Sequence, residues 1–298
     1  MSSSPTTRRS GGIPPEAFFV ASASAQYAGA VIAVKLFDDL APASVAWFRV
    51  IGAAAVCLVV SIPQLRRGGR WSRQEFLSAS IFGIAVAAMN LTFYLAIDRL
   101  DMGKGVAIEF IGPIVVAALT TRSVRNAVAL GCATIGVVVL SGLELSGEPL
   151  GLLFIFLASA CWGTYIVIGA KVAALDRGIA GLGVGLVVGA VVIAPFGIPG
   201  SGPAWSEPSL IGWCVLVGLL SNAIGYGIEQ SVLRHIPVRR FSVLLALLPV
   251  TAVVFGMIFL DQMPSAIEYL GIALVLAGVV IQQRDVLAST SESASRPD

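Results

Sequence analysis

Glu109-Phe110-Ile111-Gly112-Pro113 sets a carboxylate four residues ahead of a proline, inside an apolar run from about residue 103 to 121. A run of that length spans a bilayer, and an ionised side chain near its centre costs roughly 2.5–3.5 kcal/mol on insertion scales. Proline has no N–H, so Pro113 leaves the carbonyl of residue i−4 without its helical partner. That residue is Glu109. The charged side chain and the freed backbone oxygen therefore coincide, which points to a polar pocket inside a helix bundle.

The rest of the chain agrees with a membrane setting. Hydrophobic residues make up 57% of the 298, mean hydropathy is +0.90 and only 12% are charged. Soluble domains carry about 25% charged residues. A net charge of +2 is too small to imply nucleic acid. Cys57, Cys132, Cys161 and Cys214 all fall in apolar runs with no CxxC pair, so packing is expected of them, with no metal site and no cofactor. Residues 1–17 read as a retained, disordered tail, and Ser289 to Asp298 as disordered too.

Counting stretches of about 20 apolar residues predicts ten spans: about 18–37, 42–62, 75–96, 103–121, 125–142, 150–171, 179–198, 209–230, 240–259 and 264–283. The expected fold is thus an all-α polytopic bundle of ten transmembrane helices. With the N-terminus inside, fifteen Lys and Arg fall in cytoplasmic segments and three (Lys35, Arg99, Lys104) on the opposite side. That asymmetry predicts both termini cytoplasmic. Arg49 falls within a span.

A shift of 136 residues lays Pro113 on Pro249 and Lys35 on Lys171, and aligns Tyr94–Leu119 with Gln230–Phe255 without a gap. The reading divides the chain into a tail (1–17), a first repeat (18–142), a connecting loop (143–149), a second repeat (150–283) and a tail (284–298). Five helices per half is an odd number, which predicts two inverted repeats, with Pro113 and Pro249 as matching helix breaks. Such repeats are a mark of secondary transporters, whose site lies at the repeat interface.

Polar side chains inside the spans supply a candidate site. Asn222, Tyr226 and Glu229 are spaced i, i+4, i+7, which puts them on one face of an α-helix. Asn90 and Tyr94 repeat the i, i+4 spacing in the equivalent span. Span 1 offers Ser22 and Gln26 with Tyr27 beside them, and span 6 offers Trp162 and Tyr165. Amides and phenols suit the amine and carboxylate of a zwitterion, and a carboxylate holds an ammonium or a proton. Simpler readings stand beside these. Glu109 can be a structural acid paired with Arg49, Glu229 can reach water or Arg234, the two asparagines can join helices, and the aromatics can be packing. Gly181, Gly185 and Gly189 make a small-residue seam without a chemical role, and His235, the only histidine, reads as a loop residue.

Four stretches resemble a known family: Met89–Ile97, Ala107–Pro113, Ala160–Ile166 and Gly256–Leu260 are similar to the threonine/homoserine exporter branch of the EamA-type drug/metabolite transporters. The resemblance covers about residues 20–283. It implies ten helices in two inverted EamA repeats, a cytoplasmic-membrane location and proton-driven export of amino acids or similar metabolites. It carries Asn90, Tyr94, Glu109, Trp162, Tyr165, Tyr226 and Glu229 over as cavity residues. Leu248 departs from the pattern, since branch members often place a Glu before the second proline.

The expectation is a secondary exporter working by alternating access, with the bilayer, a small solute and protons as its partners. Glu109 and Glu229 are the proton-coupling candidates. Gln26, Tyr27, Arg49, Asn90, Tyr94, Trp162, Tyr165, Asn222 and Tyr226 are the substrate-binding candidates. A uniporter or exchanger of a purine, a drug or a sugar derivative is the alternative within the class. A scaffold or receptor is the alternative outside it. No nucleophile–His pair, metal cluster or Gly-rich phosphate loop supports an enzyme.

Overall fold

A computed structural model describes residues 15–67, 71–120, 124–142, 148–173, 178–225, 228 and 247–294. Among these residues there is no strand. The helices are α1 (Pro15–Lys35), α2 (Pro42–Arg67), α3 (Arg73–Ile97), α4 (Met102–Glu109), α5 (Ile111–Thr120), α6 (Val124–Gly142), α7 (Pro149–Ala173), α8 (Gly178–Gly197), α9 (Gly202–Ser206), α10 (Pro208–Gly218), α11 (Leu247–Phe259) and α12 (Ala266–Ala294). A π-helical segment, Leu219–Gly225, continues α10. α12 runs through much of the stretch expected as a tail.

Local sequence explains several starts. Proline opens α2, α7 and α10, where its missing N–H is not needed. Ser72 and Glu75 form a capping box on α3: the Ser72 hydroxyl accepts from the Glu75 N–H, and the Glu75 carboxylate accepts from the Ser72 N–H.

The expected ten spans are not found. Among the described residues six helices are long and apolar enough to cross a membrane: Val20–Asp38, Pro42–Arg66, Arg73–Ile97, Pro149–Ile168, Ile179–Gly197 and Pro208–Gly225. The other four predictions fall short for visible reasons. The stretch 103–121 is broken at Phe110 into α4, with 8 residues, and α5, with 10. A ten-residue helix rises only about 15 Å, half the hydrocarbon thickness of about 30 Å. The stretches 125–142, 240–259 and 264–283 contain shorter apolar helices, Ala127–Leu140, Leu248–Phe259 and Ala266–Ile281. At 103–121 hydropathy counts apolar residues although the helix does not run unbroken through them, and residues 240–246 lie outside the described residues. With the count of ten goes the odd-number argument for inverted repeats, and with it the placement of both termini on the cytoplasmic side.

Two apolar clusters form the interior. One gathers side chains such as Tyr27, Phe110, Ile114, Ile155 and Val275 from α1, α4, α5, α7 and α12. The other gathers Phe48, Val50, Tyr94, Leu186 and Cys214 from α2, α3, α8 and α10. Phe93 packs against both. α6 lies along α12, α3 is flanked by α7 and α8, and α8 also lies along α2. The α3–α8 crossing depends on glycine, because a Cβ on Gly83 would overlap the Gly185 carbonyl and one on Gly189 would overlap the Gly83 carbonyl. Close backbone approach of this kind is the usual way membrane helices associate. Large apolar side chains such as Val59, Val124 and Leu119 face outward, toward lipid.

Candidate functional site

The helix carrying Glu109 is interrupted where proline removes a hydrogen bond. α4 ends at Glu109, Phe110 stands between, and α5 begins at Ile111 with Pro113 in its first turn. The backbone stays in the right-handed region at Phe110 (φ −61°, ψ −14°), so the chain is loosened here without being turned aside. Trp162 of α7 stacks edge-on against Phe110, centroids 4.8 Å apart. A Cβ on Gly112 would overlap the Ser159 carbonyl, so α5 and α7 touch backbone to backbone beside the interruption. Pro249 lies buried in the first turn of α11.

Glu109 is 8% exposed. Among the described residues no hydrogen bond or ion pair reaches its carboxylate, and Arg49 acts on it only as a nearby charge. The reading of Glu109 as a locked partner of Arg49 is therefore not what the structure holds. Arg49, on α2 and also 8% exposed, turns elsewhere. Its Nη2 donates to Asn222 Oδ1 at 2.9 Å, and its guanidinium carbon lies 4.9 Å from the centroid of the Tyr94 ring. A cation over an aromatic face is attracted by the ring quadrupole. Among the described residues three polar atoms of this group are buried without a hydrogen-bond partner: Arg49 Nε, Tyr94 Oη and Asn222 Nδ2.

Asn222 reaches Arg49 because of two local features. A Cβ on Gly218 would overlap the Arg49 carbonyl, so α10 lies directly on the backbone of α2. Beyond Gly218 the helix widens to the π form over Leu219–Gly225. Such π segments are rare and often occur at functional sites. The α-helical spacing that placed Asn222, Tyr226 and Glu229 on one face does not apply through this segment, and Tyr226 and Glu229 lie outside the described residues.

α1 is stitched to the same segment. Ser22 Oγ donates to the Gly225 carbonyl at 2.8 Å, and Ser221 Oγ donates to the Gln26 carbonyl at 3.3 Å. Gln26 Nε2 lies 3.3 Å from Ser22 Oγ, and its side chain packs on Gly225. Tyr27 is buried, its ring 6.5 Å from that of Phe255 on α11.

The structure places the remaining described residues among the predicted ones against other neighbours. Asn90 Nδ2 donates to the Val86 carbonyl of its own helix at 2.7 Å. Tyr165 stacks on Phe82 at 5.0 Å, holding α7 against α3. Arg49, Tyr94 and Asn222 are thus brought into one group, with Glu109 in its field and Gln26 and Tyr27 on the adjoining helix, while Asn90, Trp162 and Tyr165 engage other partners.

Sequence reasoning missed a second polar group. Lys104, counted at the start of the span 103–121 on the side opposite the cytoplasm, is buried on α4 and pairs with Glu268 at 2.5 Å. The signal was present: Ser265-Ala266-Ile267-Glu268 is a capping-box pattern, and it caps α12. Among the described residues no three metal-ligating side chains cluster.

Comparison with known proteins agrees with this picture. Residues 149–282 match the model of the EamA-like transporter family. The chain is 30% identical over 272 residues to the threonine/homoserine exporter RhtA of Escherichia coli K12, covering 89% of both chains. It is 29% identical to the protein of the same name from Salmonella typhimurium LT2, again over 89% of both. A solved crystal structure shares the fold with a TM-score of 0.59 at 17% identity, covering 93% of this chain and 98% of that one. Similarity of that extent to the exporters, together with the apolar helix bundle, makes this a multi-pass protein of the cell membrane and a member of the EamA-like transporter family of small-molecule transporters, not an enzyme.

Proposed function

We propose that the protein exports amino acids like threonine and homoserine, or related small metabolites, in exchange for protons by alternating access. One observation carries this reading. Glu109 is buried, lies at the interruption between α4 and α5, and has neither ion pair nor hydrogen bond among the described residues. A buried carboxyl without a fixed partner is free to exchange a proton as its surroundings change. The names of the relatives supply the solute class. The loosened backbone at Phe110 and the π segment at Leu219–Gly225 are the natural places for the bundle to flex.

The test is transport in proteoliposomes under an imposed pH gradient, with a panel of amino acids. Wild type concentrates its solute against the gradient of that solute. Glu109→Gln loses this coupled movement by about tenfold or more, while Glu109→Asp retains a fraction of it. Undiminished uphill transport by Glu109→Gln sinks the proposal.

A further inference from the structure

Three buried polar atoms, one of them in the Arg49 guanidinium itself, have no hydrogen-bond partner among the described residues, and each can donate. Arg49 Nε and Asn222 Nδ2 can only donate hydrogen bonds, and Tyr94 Oη donates as well as accepts. Asn222 has its acceptor oxygen already engaged by Arg49, and its amide N–H₂ has no hydrogen-bond partner among the described residues. Tyr94 is fully buried, Asn222 is 1% exposed and Arg49 8%. Buried donors without acceptors are rare in folded proteins and destabilise the state that holds them. The cation adds to this, because its one fixed partner is a neutral amide and its nearest acid, Glu109, makes no ion pair with it. Among the described residues the group lacks an anionic acceptor with several lone pairs.

We infer that Arg49, Tyr94 and Asn222 form a receptor for the carboxylate of the transported solute. The inference rests on the exporter reading above and narrows it: the solute must carry a carboxylate, and its recognition belongs to these three side chains and not to the aromatic residues Trp162 and Tyr165. A carboxylate accepts up to four hydrogen bonds and matches the planar face of a guanidinium. The three side chains come from α2, α3 and the π segment. A solute bound here therefore adds a link between three elements at the point where Arg49 already bonds Asn222 and faces the Tyr94 ring. An ester or alcohol in place of the carboxylate leaves the donors and the cation unmatched.

The test uses the purified full-length protein in detergent and follows its melting temperature during titration with L-threonine and L-homoserine, their methyl esters and the corresponding amino alcohols. The acids stabilise wild type, and the esters and alcohols act at least about tenfold more weakly. Arg49→Lys weakens the response to the acids by about tenfold or more, and Tyr94→Phe by about threefold to tenfold. Tyr94→Phe removes a single oxygen from a ring whose hydroxyl has no partner, so its melting temperature without solute stays near that of wild type. The inference is overturned if esters act as well as acids, if Tyr94→Phe and Arg49→Lys respond as wild type does, or if no acid stabilises the protein. Failure of the exporter reading looks different: no panel member moves in proteoliposomes, whatever the acids and esters do to the melting temperature.

Discussion

Lys104 and Arg49 are both buried cations in one apolar bundle, and they are treated in opposite ways. Lys104 meets Glu268 at 2.5 Å, and the other oxygen of Glu268 accepts the Ser265 N–H at 2.6 Å. Ser265 Oγ in turn accepts the Glu268 N–H at 3.3 Å, and Gln262 Oε1 accepts the Met102 N–H at 3.0 Å at the start of α4. The first cation is matched by an opposite charge, and that charge is held by backbone. Arg49 has a neutral amide and an aromatic face, with Nε left over, while the acid in its field has no ion pair among the described residues. Breaking a buried pair costs far more than the pair contributes over an apolar substitute. A matched pair therefore holds α4 to α12, whereas an unmatched set leaves room for a partner that arrives and departs.

Four substitutions test this contrast, the largest effect first. Lys104→Met strands the Glu268 charge and should cost about 3–5 kcal/mol of stability, read as a lower melting temperature in detergent. Adding Glu268→Leu to it should recover most of the loss. A neutral Lys104→Met would mean that the pair does not hold the fold, and the contrast would disappear. Ser265→Ala removes the cap of α12 while leaving the ion pair, and should cost about 1 kcal/mol. A loss as large as that of Lys104→Met would place the stabilisation in the cap and not in the pair. Arg49→Met should change stability least, by within about 1 kcal/mol. It removes a poorly matched buried charge along with one hydrogen bond, and yet it should abolish stabilisation by amino acids. If instead it unfolds the protein as Lys104→Met does, Arg49 is structural and the two cations are alike.

How far the site could be read in the chain differs from residue to residue. Glu109 and the interruption beside it follow from an acid and a proline four residues apart, because a proline's effect on its own helix is local. Arg49, Tyr94 and Asn222 were each identifiable as polar residues in apolar runs, but their meeting was not, since α2, α3 and the π segment are far apart in sequence. Asn90 shows the reverse case: its spacing from Tyr94 suggested a shared role, and its amide is taken up by its own helix. The α-helical register of Asn222 with Tyr226 and Glu229 assumed regular i+4 bonding, and the segment Leu219–Gly225 follows i+5.

The amino-acid sequence by itself determined the solvent, the helical class and the acid at a weakened helix, because hydropathy and proline chemistry act over a few neighbouring residues, and the resemblance of four short stretches pointed to the transporter family. The tertiary structure alone decided that, among the described residues, six helices and not ten are long and apolar enough to span, that Lys104 is buried in an ion pair, and that Arg49 turns to Asn222 and makes no ion pair with Glu109. A broken helix, a buried charge and an orphaned donor are each defined by what stands opposite them, and that is settled only when distant segments pack.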